Sequence, residues 1–463
     1  MRLLLTMTSA LALSACAVGP NYKAPVTPPA AAGAFVTTSA AVTTAAPDDH
    51  WWRLYNDPAL DQLVAEALAY NTDVRVSVAR LQRAQAMLRD VRSDRLPQTS
   101  ISATSTFGRT SAIQSLPGLD REGSRVDAGL NVSYEVDLFG RVARGVEAAR
   151  GDVAAAEADA DAVRVSIVAE TIRAYADAAS AAARLTVAER IVGLLDRSVS
   201  VTSRRANAGL TTNLDTARIS ALREQRRADV PTIAAERQTA LFRLATLTGR
   251  APADLPPIAA QRSTMLMLDQ PIPVGDGAQL LARRPDVRAA ERRLAGATAR
   301  IGVVTADLYP RISLGGSVGS TSTGIGDLFG AGPLRWLLGP LISWTFPNQE
   351  RNRARIAAAE ADSQVALATF DGTVLRALEE TETALSNYAR LLDRRTALAS
   401  ARGEAERAVK ITRAQQREGR IDSLVALDAE RTFVDTEAEL ALADARISDA
   451  QVDVFRALGG RWS

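Results

Sequence analysis

Cysteine and histidine are almost missing: one of each, Cys16 and His50, in 463 residues. A disulfide needs two cysteines and a zinc site several Cys or His ligands, so one subunit can build neither. Most familiar catalytic constellations fall with them, and there is no Walker-type phosphate loop; the chain is not expected to be an enzyme or to hold a cofactor or a metal. Lysine is nearly absent as well, Lys23 and Lys410 being the exceptions among 55 basic residues. With 53 acidic residues the formal charge is only +2, which gives no excess to hold a nucleic acid. Aromatics make up 5%, and frequent alanine suits closely packed helices. After the N-terminus no segment offers ~18 uninterrupted apolar residues, so no helical membrane span is expected.

What is present begins with Met1 and Arg2 and an apolar stretch from Leu3 to Leu13, too short for a permanent span of ~20 residues. It reads as a signal peptide, residues 1–15. Leu13, Ser14 and Ala15 fit a lipobox that is cut before Cys16, whose sulfur then carries lipid. Two or three acyl chains, palmitate among them, anchor stably where one is marginal. Ala17 in place of Asp resembles bacterial lipoproteins sorted to the outer membrane. Residues 16–50, rich in Pro, Ala and Thr, read as an extended leash, with His50 an ordinary surface residue beside Trp51 and Trp52.

The rest is written twice. "DVRVSVARLQRAQAMLRDVRSDRLPQTS" from Asp73 recurs as "DVRAAERRLAGATARIGVVTADLYPRIS" from Asp286, 213 positions on. At an offset of 210, Ser133, Arg141, Glu170, Thr171, Gly209, Leu214 and Gly249 recur as Ser343, Arg351, Glu380, Thr381, Gly419, Leu424 and Gly459. The repeats are 51–249 and 278–463, joined by a Pro- and Gly-rich linker, 250–277.

Each repeat orders its elements alike. A helix of ~35 residues (59–95, 278–308) ends before Pro97 or Pro310. A β-hairpin follows, 99–137 and 311–346, in which Val126, Ala128, Leu130, Val132, Tyr134 and Val136 alternate with Arg125, Asp127, Gly129, Asn131, Ser133 and Glu135. Such alternation marks a strand between two media, and Trp336, Trp344 and Tyr134 suit a membrane interface. Proline-free stretches at 140–206 and 349–416 read as helices ~100 Å long, with coiled-coil spacings at Leu367, Phe370, Val374, Leu378, Leu385 and Leu392. They break at Gly209 and Gly419 and return as helices 213–248 and 423–458, the first expected to kink at Pro231. Glu157, Asp159 and Asp161 read as a solvated helix face, not a metal site.

Four strands cannot close a membrane barrel, whose smallest forms have ~8, so the barrel must be shared between chains. Two chains or three satisfy that condition.

"WWRLYNDPALDQLVAEAL" from Trp51, "SYEVDLFGRV" from Ser133, "LATLTGRAPADLP" from Leu244, "LLARRPDVRAAERRL" from Leu280, "ADLYPRISLGG" from Ala306 and "GRIDSLVALDAER" from Gly419 together resemble the TolC-like outer-membrane efflux ducts, in their NodT branch of lipoproteins. The resemblance implies a mainly α protein with a transmembrane β-barrel: a homotrimer with one shared twelve-stranded barrel and an α-helical tunnel of coiled-coil helices. It implies an outer-membrane efflux transporter, associated with multidrug resistance, that exports drugs or other small molecules. Its partners would be a periplasmic adaptor (a membrane fusion protein) and an inner-membrane resistance-nodulation-division pump. A duct for type I protein secretion or for metal efflux is the nearer alternative, and a coiled-coil lipoprotein that spaces membranes the remote one. "FPNQERNR" from Phe346 departs from the family, which commonly has glycine between strand and helix.

By the same resemblance Gly209, Leu210, Thr211, Gly419, Arg420 and Ile421 are expected at the tips that meet the adaptor. Leu424, Asp428 and Arg431 match the family's LxxxDxxR pattern beside the closed end and share one helix face. They are expected to form the gate, with Arg431 the natural partner of Asp428 and Arg218, at the matching position of the first repeat, a second candidate.

Overall fold

The computed structural model describes residues 17–26, 29–114, 120–329, 332 and 334–460; Cys16 and the expected signal peptide lie outside the described residues. In chain order the elements are α1 (Pro29–Ala32), β1 (Val42–Thr43), α2 (Pro58–Tyr70), α3 (Thr72–Ser93), β2 (Gln98–Arg109), β3 (Glu122–Val136), α4 (Arg141–Asn207), α5 (Asn213–Leu247), β4 (Ile272–Pro273), α6 (Gly277–Arg283), α7 (Pro285–Ala306), β5 (Arg311–Ser322), β6 (Leu334–Ser343), α8 (Glu350–Arg417) and α9 (Ser423–Leu458). Among the described residues no helix is long and apolar enough to cross a membrane.

The helix before each hairpin is broken in two, where one helix was expected. Asn71 separates α2 from α3: its Oδ1 accepts from Asp73 N (2.8 Å) and Val74 N (3.3 Å), capping α3, while its Nδ2 donates to Leu247 O at 3.0 Å. Arg284 separates α6 from α7 and donates from Nη1 to Ala457 O at 3.0 Å. Leu247 and Ala457 are the last-turn carbonyls of the two return helices, which have no partner within their own helix. Different side chains thus do the same work in the two repeats. Pro231 lies within a continuous α5.

The expected leash is stitched to the protein. Val36 N and Thr37 N donate to the two oxygens of Glu382, at 2.5 and 3.0 Å. β1 pairs in parallel with β4, and Gly277 N donates to Gly33 O at 2.9 Å. The leash contributes only backbone groups to these bonds, which is why its composition hides them.

β2, β3, β5 and β6 form one antiparallel sheet in that order. Across it Ile101 pairs with Leu130, Leu130 with Val318 and Val318 with Trp336; all four are exposed on one face. The adjacent row, Ser102, Gly129, Gly319 and Arg335, lies on the other face. Among the described residues β2 and β6 each have one edge without a neighbouring strand.

The chain divides into two compact units that cut across the repeats. One comprises residues up to Pro25, Arg80–Glu157 and Ala289–Asp371. It holds the sheet and a small core of Leu88, Val146 and Ala149. A Cβ on Gly151 would sit 3.0 Å from Gly296 Cα, so glycine at both positions lets α4 and α7 approach backbone to backbone. The other comprises Val26–Ala79, Ala158–Arg288 and Gly372–Ser463. Its core stacks Trp51 on Phe455 at 4.4 Å, and each fully buried side chain of this size contributes ~1.5–3 kcal/mol. Asp57, the N-cap of α2, also accepts from Tyr175 Oη (3.0 Å) and Arg262 Nη1 (2.8 Å), tying the linker to the core. Asp161 is not on a solvated face: it is buried and paired with Arg164 (2.8 Å) and Arg288 (2.9 Å), the latter from α7. His50 is exposed, with its ring 5.1 Å from that of Trp52.

Candidate functional site

Two helical turns, one per repeat, carry the expected tip residues. After α4, Gly209 has φ +70°, Gly209 N donates to Ala206 O (2.9 Å) and Leu210 N to Arg205 O (2.8 Å). After α8, Gly419 has φ +71°, with Gly419 N on Gln416 O (3.1 Å) and Arg420 N on Gln415 O (2.9 Å). The bonds repeat at the same offset as the sequence. A Cβ on either glycine would meet nothing within 4 Å, so glycine serves the left-handed backbone and not a tight fit. The restarts differ. Thr212 and Asp215 cap α5 reciprocally, and the Thr212 and Thr211 hydroxyls, the Thr212 N–H and then Arg218 hold the Asp215 carboxyl below its usual range. Asp422 caps α9 without a side-chain bond. Leu210 is exposed, Thr211 and Ile421 half-buried, and exposed Arg420 reaches Glu418 at 2.9 Å.

Leu424, Asp428 and Arg431 all lie exposed on α9. Arg431, however, is not tied to Asp428: its Nε is 3.9 Å from Asp435 Oδ2, and Asp435 is also held by Arg226 of α5. Arg218 is exposed on α5 and has no ion pair among the described residues. Within one chain the Asp428 carboxylate therefore has no arginine tether, contrary to expectation. Arg431 has acids three positions before and four positions after it on α9, and Asp435 is the one that a neighbouring helix holds in place.

Sequence reasoning missed what fixes α9 behind this face. Glu430 accepts from Arg413 Nε (2.9 Å) and Ser198 Oγ (3.0 Å), Glu437 from Arg402 Nε (2.8 Å) and Arg190 Nη2 (2.5 Å), and Asp444 from Arg395 Nε (2.5 Å). One heptad further, Gln451 Nε2 donates to Tyr388 Oη at 3.2 Å. The partners descend α8 as α9 ascends, so this ladder sets the antiparallel register of the pair. Glu430 and Glu437 are buried while their arginines stay partly exposed, so solvent screens these pairs and each contributes less than a fully buried pair would. The signal was there to find: Glu, Glu, Asp and Gln at intervals of seven.

A second charged feature lies on α4 and α9. Asp177 and Asp449 are hydrogen-bonded carboxyls. Burial first, then the charge and hydrogen bond of Asp177, push Asp449 up to about 7. Burial raises Asp177 as well, against the pull of Asp449, Arg173 and Arg243.

The residues next to Cys16 are held at a strand–helix junction. Val18 N donates to Phe139 O (3.1 Å), Arg144 Nε to Val18 O (3.3 Å) and Arg144 Nη2 to Asn21 Oδ1 (2.6 Å). Gly140, φ +77°, has no room for a Cβ, which would fall 2.6 Å from Ala17 Cβ. Phe139 stacks on Tyr309 at 4.5 Å and Trp344 on Phe346 at 4.8 Å, a group of aromatics at this end of the sheet. At the first junction Asp137 accepts from Val142 N (3.1 Å) and Ala143 N (2.7 Å). The second does without glycine: Asn348 Oδ1 accepts from Glu350 N (3.2 Å), and Asn352 Nδ2 donates to Asp307 O (2.8 Å).

The family described as outer membrane efflux protein matches residues 63–250 and 277–460, one span in each repeat. The chain is 33% identical to the outer membrane protein OprJ of Pseudomonas aeruginosa, over 98% of this chain and 94% of that one. It is 30% identical to nodulation protein T of Rhizobium leguminosarum bv. trifolii, over 94% and 92%. The solved structure of the outer-membrane channel OprN superposes with a TM-score of 0.90 at 36% identity, covering 96% of this chain and all of that one.

Proposed function

The chain belongs to the family of outer membrane efflux proteins, and from that premise we propose that three copies join their sheets into one twelve-stranded barrel and their long helices into one periplasmic duct that carries small molecules out of the cell. The observation that carries this reading is the sheet: four strands, one face that exposes Ile101, Leu130, Val318 and Trp336, and two free edges among the described residues. In hydrocarbon an open edge leaves backbone groups unpaired at several kcal/mol each, so the edges must meet those of other copies. Twelve strands leave a lumen where eight would be filled by side chains.

Lipid on Cys16 would enter the membrane beside the sheet, because Ala17 and Val18 are fixed where β3 gives way to α4, among the aromatics expected at an interface. The anchor holds the duct in the outer membrane and does not shape it.

The turns at Gly209 and Gly419 are the docking points for a periplasmic adaptor, which couples the duct to an inner-membrane pump of the resistance-nodulation-division type. Exposed Leu210 and Leu214 support this, since an apolar group beside open backbone is what a partner protein covers. Bulky replacement of Leu210, Thr211, Arg420 and Ile421 together should leave trimers intact while weakening site-specific crosslinking to the adaptor about tenfold, the equivalent of ~1.4 kcal/mol. Parent-level crosslinking by the fourfold variant would remove the tips from the interface.

A further inference from the structure

On the face of the sheet opposite Ile101, Leu130, Val318 and Trp336, charge is confined to two places. At the junction end Glu135 pairs with Arg141 (2.7 Å) and Arg311 with Asp307 (2.5 Å). Between the ends this face offers Ser, Thr, Asn, Gly and Leu only. At the far end, where β3 and β6 begin, three charged side chains converge. Arg125 Nε donates to Asp127 Oδ2 (2.7 Å), and Arg335 Nη2 lies 3.6 Å from Asp127 Oδ1. Thr321 sits between them, its Oγ1 donating to Asp127 Oδ1 (2.5 Å) and accepting from Arg335 Nε (3.0 Å).

The backbone makes room for this arrangement. Arg335 pairs with Gly319, and Gly319 with Gly129, so its side chain crosses β5 over two residues with no side chains and ends above β3. A Cβ on Gly129 would come 3.8 Å from the Arg335 guanidinium, and one on Gly319 would meet Ala128 O at 2.6 Å. The guanidinium is laid along the wall, its Nε bonded to Thr321 and its Nη2 facing Asp127 at 3.6 Å. Arg125 and Arg335 remain well exposed, at 67% and 51% of their side-chain surface. Two cations share one carboxylate, so this cluster carries one surplus positive charge.

We propose that Arg125, Asp127 and Arg335 form an anion-selecting ring at the outer mouth of the duct. The proposal rests on the shared-barrel reading above, which turns the polar face to the lumen and repeats the surplus charge three times around it. Fixed like charges around a narrow, water-filled passage raise the local concentration of anionic solutes and lower that of cations. Thr321 and the paired glycines act as positioning residues that keep Arg335 on the wall and out of the passage.

Reversal potentials in planar bilayers under a KCl gradient test it, with the parent and four variants measured at low salt, ~0.1 M, where the screening length is about 10 Å. Arg125→Gln with Arg335→Gln should lower the chloride-to-potassium permeability ratio about threefold. Asp127→Asn should raise it, and Arg125→Lys with Arg335→Lys should keep it near the parent value. Thr321→Val, which leaves every charge in place, should lower it less than the double Gln change. All differences should shrink toward 1 M salt, where screening falls to about 3 Å. An unchanged ratio in the double Gln variant, in channels of parent conductance, would overturn the ring while leaving the barrel in place. If the parent itself forms no channels, the barrel reading fails and the ring with it.

Discussion

A channel carrying Leu424→Ala and Asp428→Ala is expected to conduct roughly three- to tenfold more current per opening than the parent and to favour cations less than the parent does. Both side chains are exposed in the single chain and neither has a bond there that folding depends on, so the change removes no buried contact. In the proposed trimer three copies of this face would meet around the axis. Three leucines then narrow the path sterically, and three carboxylates without an intrachain arginine repel one another unless cations sit between them. Arg431, held toward Asp435 at 3.9 Å, is not available to neutralise Asp428 from within its own chain. If this face is the gate, opening would move α9 relative to α8 and α4 and so work against the Arg413–Glu430 and Arg402–Glu437 bonds. If conductance and selectivity both stay at parent values, the constriction lies elsewhere and this face is wall.

Asp449→Asn should flatten the pH dependence of stability between about 4 and 7 and raise the apparent Tm at pH 8 by a few degrees. Both carboxyls of the Asp177–Asp449 pair are raised from their ordinary value of 3.8, Asp449 to about 7. In that window the unfolded chain has lost these protons and the folded one keeps at least one, so the unfolded state binds fewer protons and stability falls as pH rises. The contribution is full below about 4, declines through the window and levels off above about 7, a loss on the order of 2–4 kcal/mol. Arg173 and Arg243 moderate the conflict without removing it, while the nearby charges of Glu236 and Asp453 add to it. An amide at position 449 still donates to the Asp177 carboxylate but carries no charge. A variant with the parent slope would show that the pair is not the origin of the pH dependence.

Long-range order was legible because it is periodic. The alternation of Val126 to Val136 against Arg125 to Glu135 appears as the two faces of β3, and the glycines at 209 and 419 appear as left-handed turns with equivalent hydrogen bonds. What stayed hidden depends on single side chains reaching across the fold. Pro285 puts the residue before it, Arg284, in extended backbone and so marks the second break, but nothing local marks the first, where the bond of Asn71 to Leu247 explains why the helix stops. The leash looked free because Val36 and Thr37 are held by their backbone N–H groups, which every sequence has. For Arg431 the sequence offered two acids at helical spacing, Asp428 and Asp435. The choice between them is made by Arg226 on another helix, which no local pattern reports.

Whether one duct is made by three lipid-anchored copies sharing a barrel is tested directly by native mass spectrometry of the full-length protein extracted from outer membranes. An assembly of three chains is expected, each beginning at Cys16 and carrying two or three acyl groups, with Cys16→Ser giving the same trimer without lipid. A stable closed assembly of two chains, or a chain unmodified at Cys16, would contradict it.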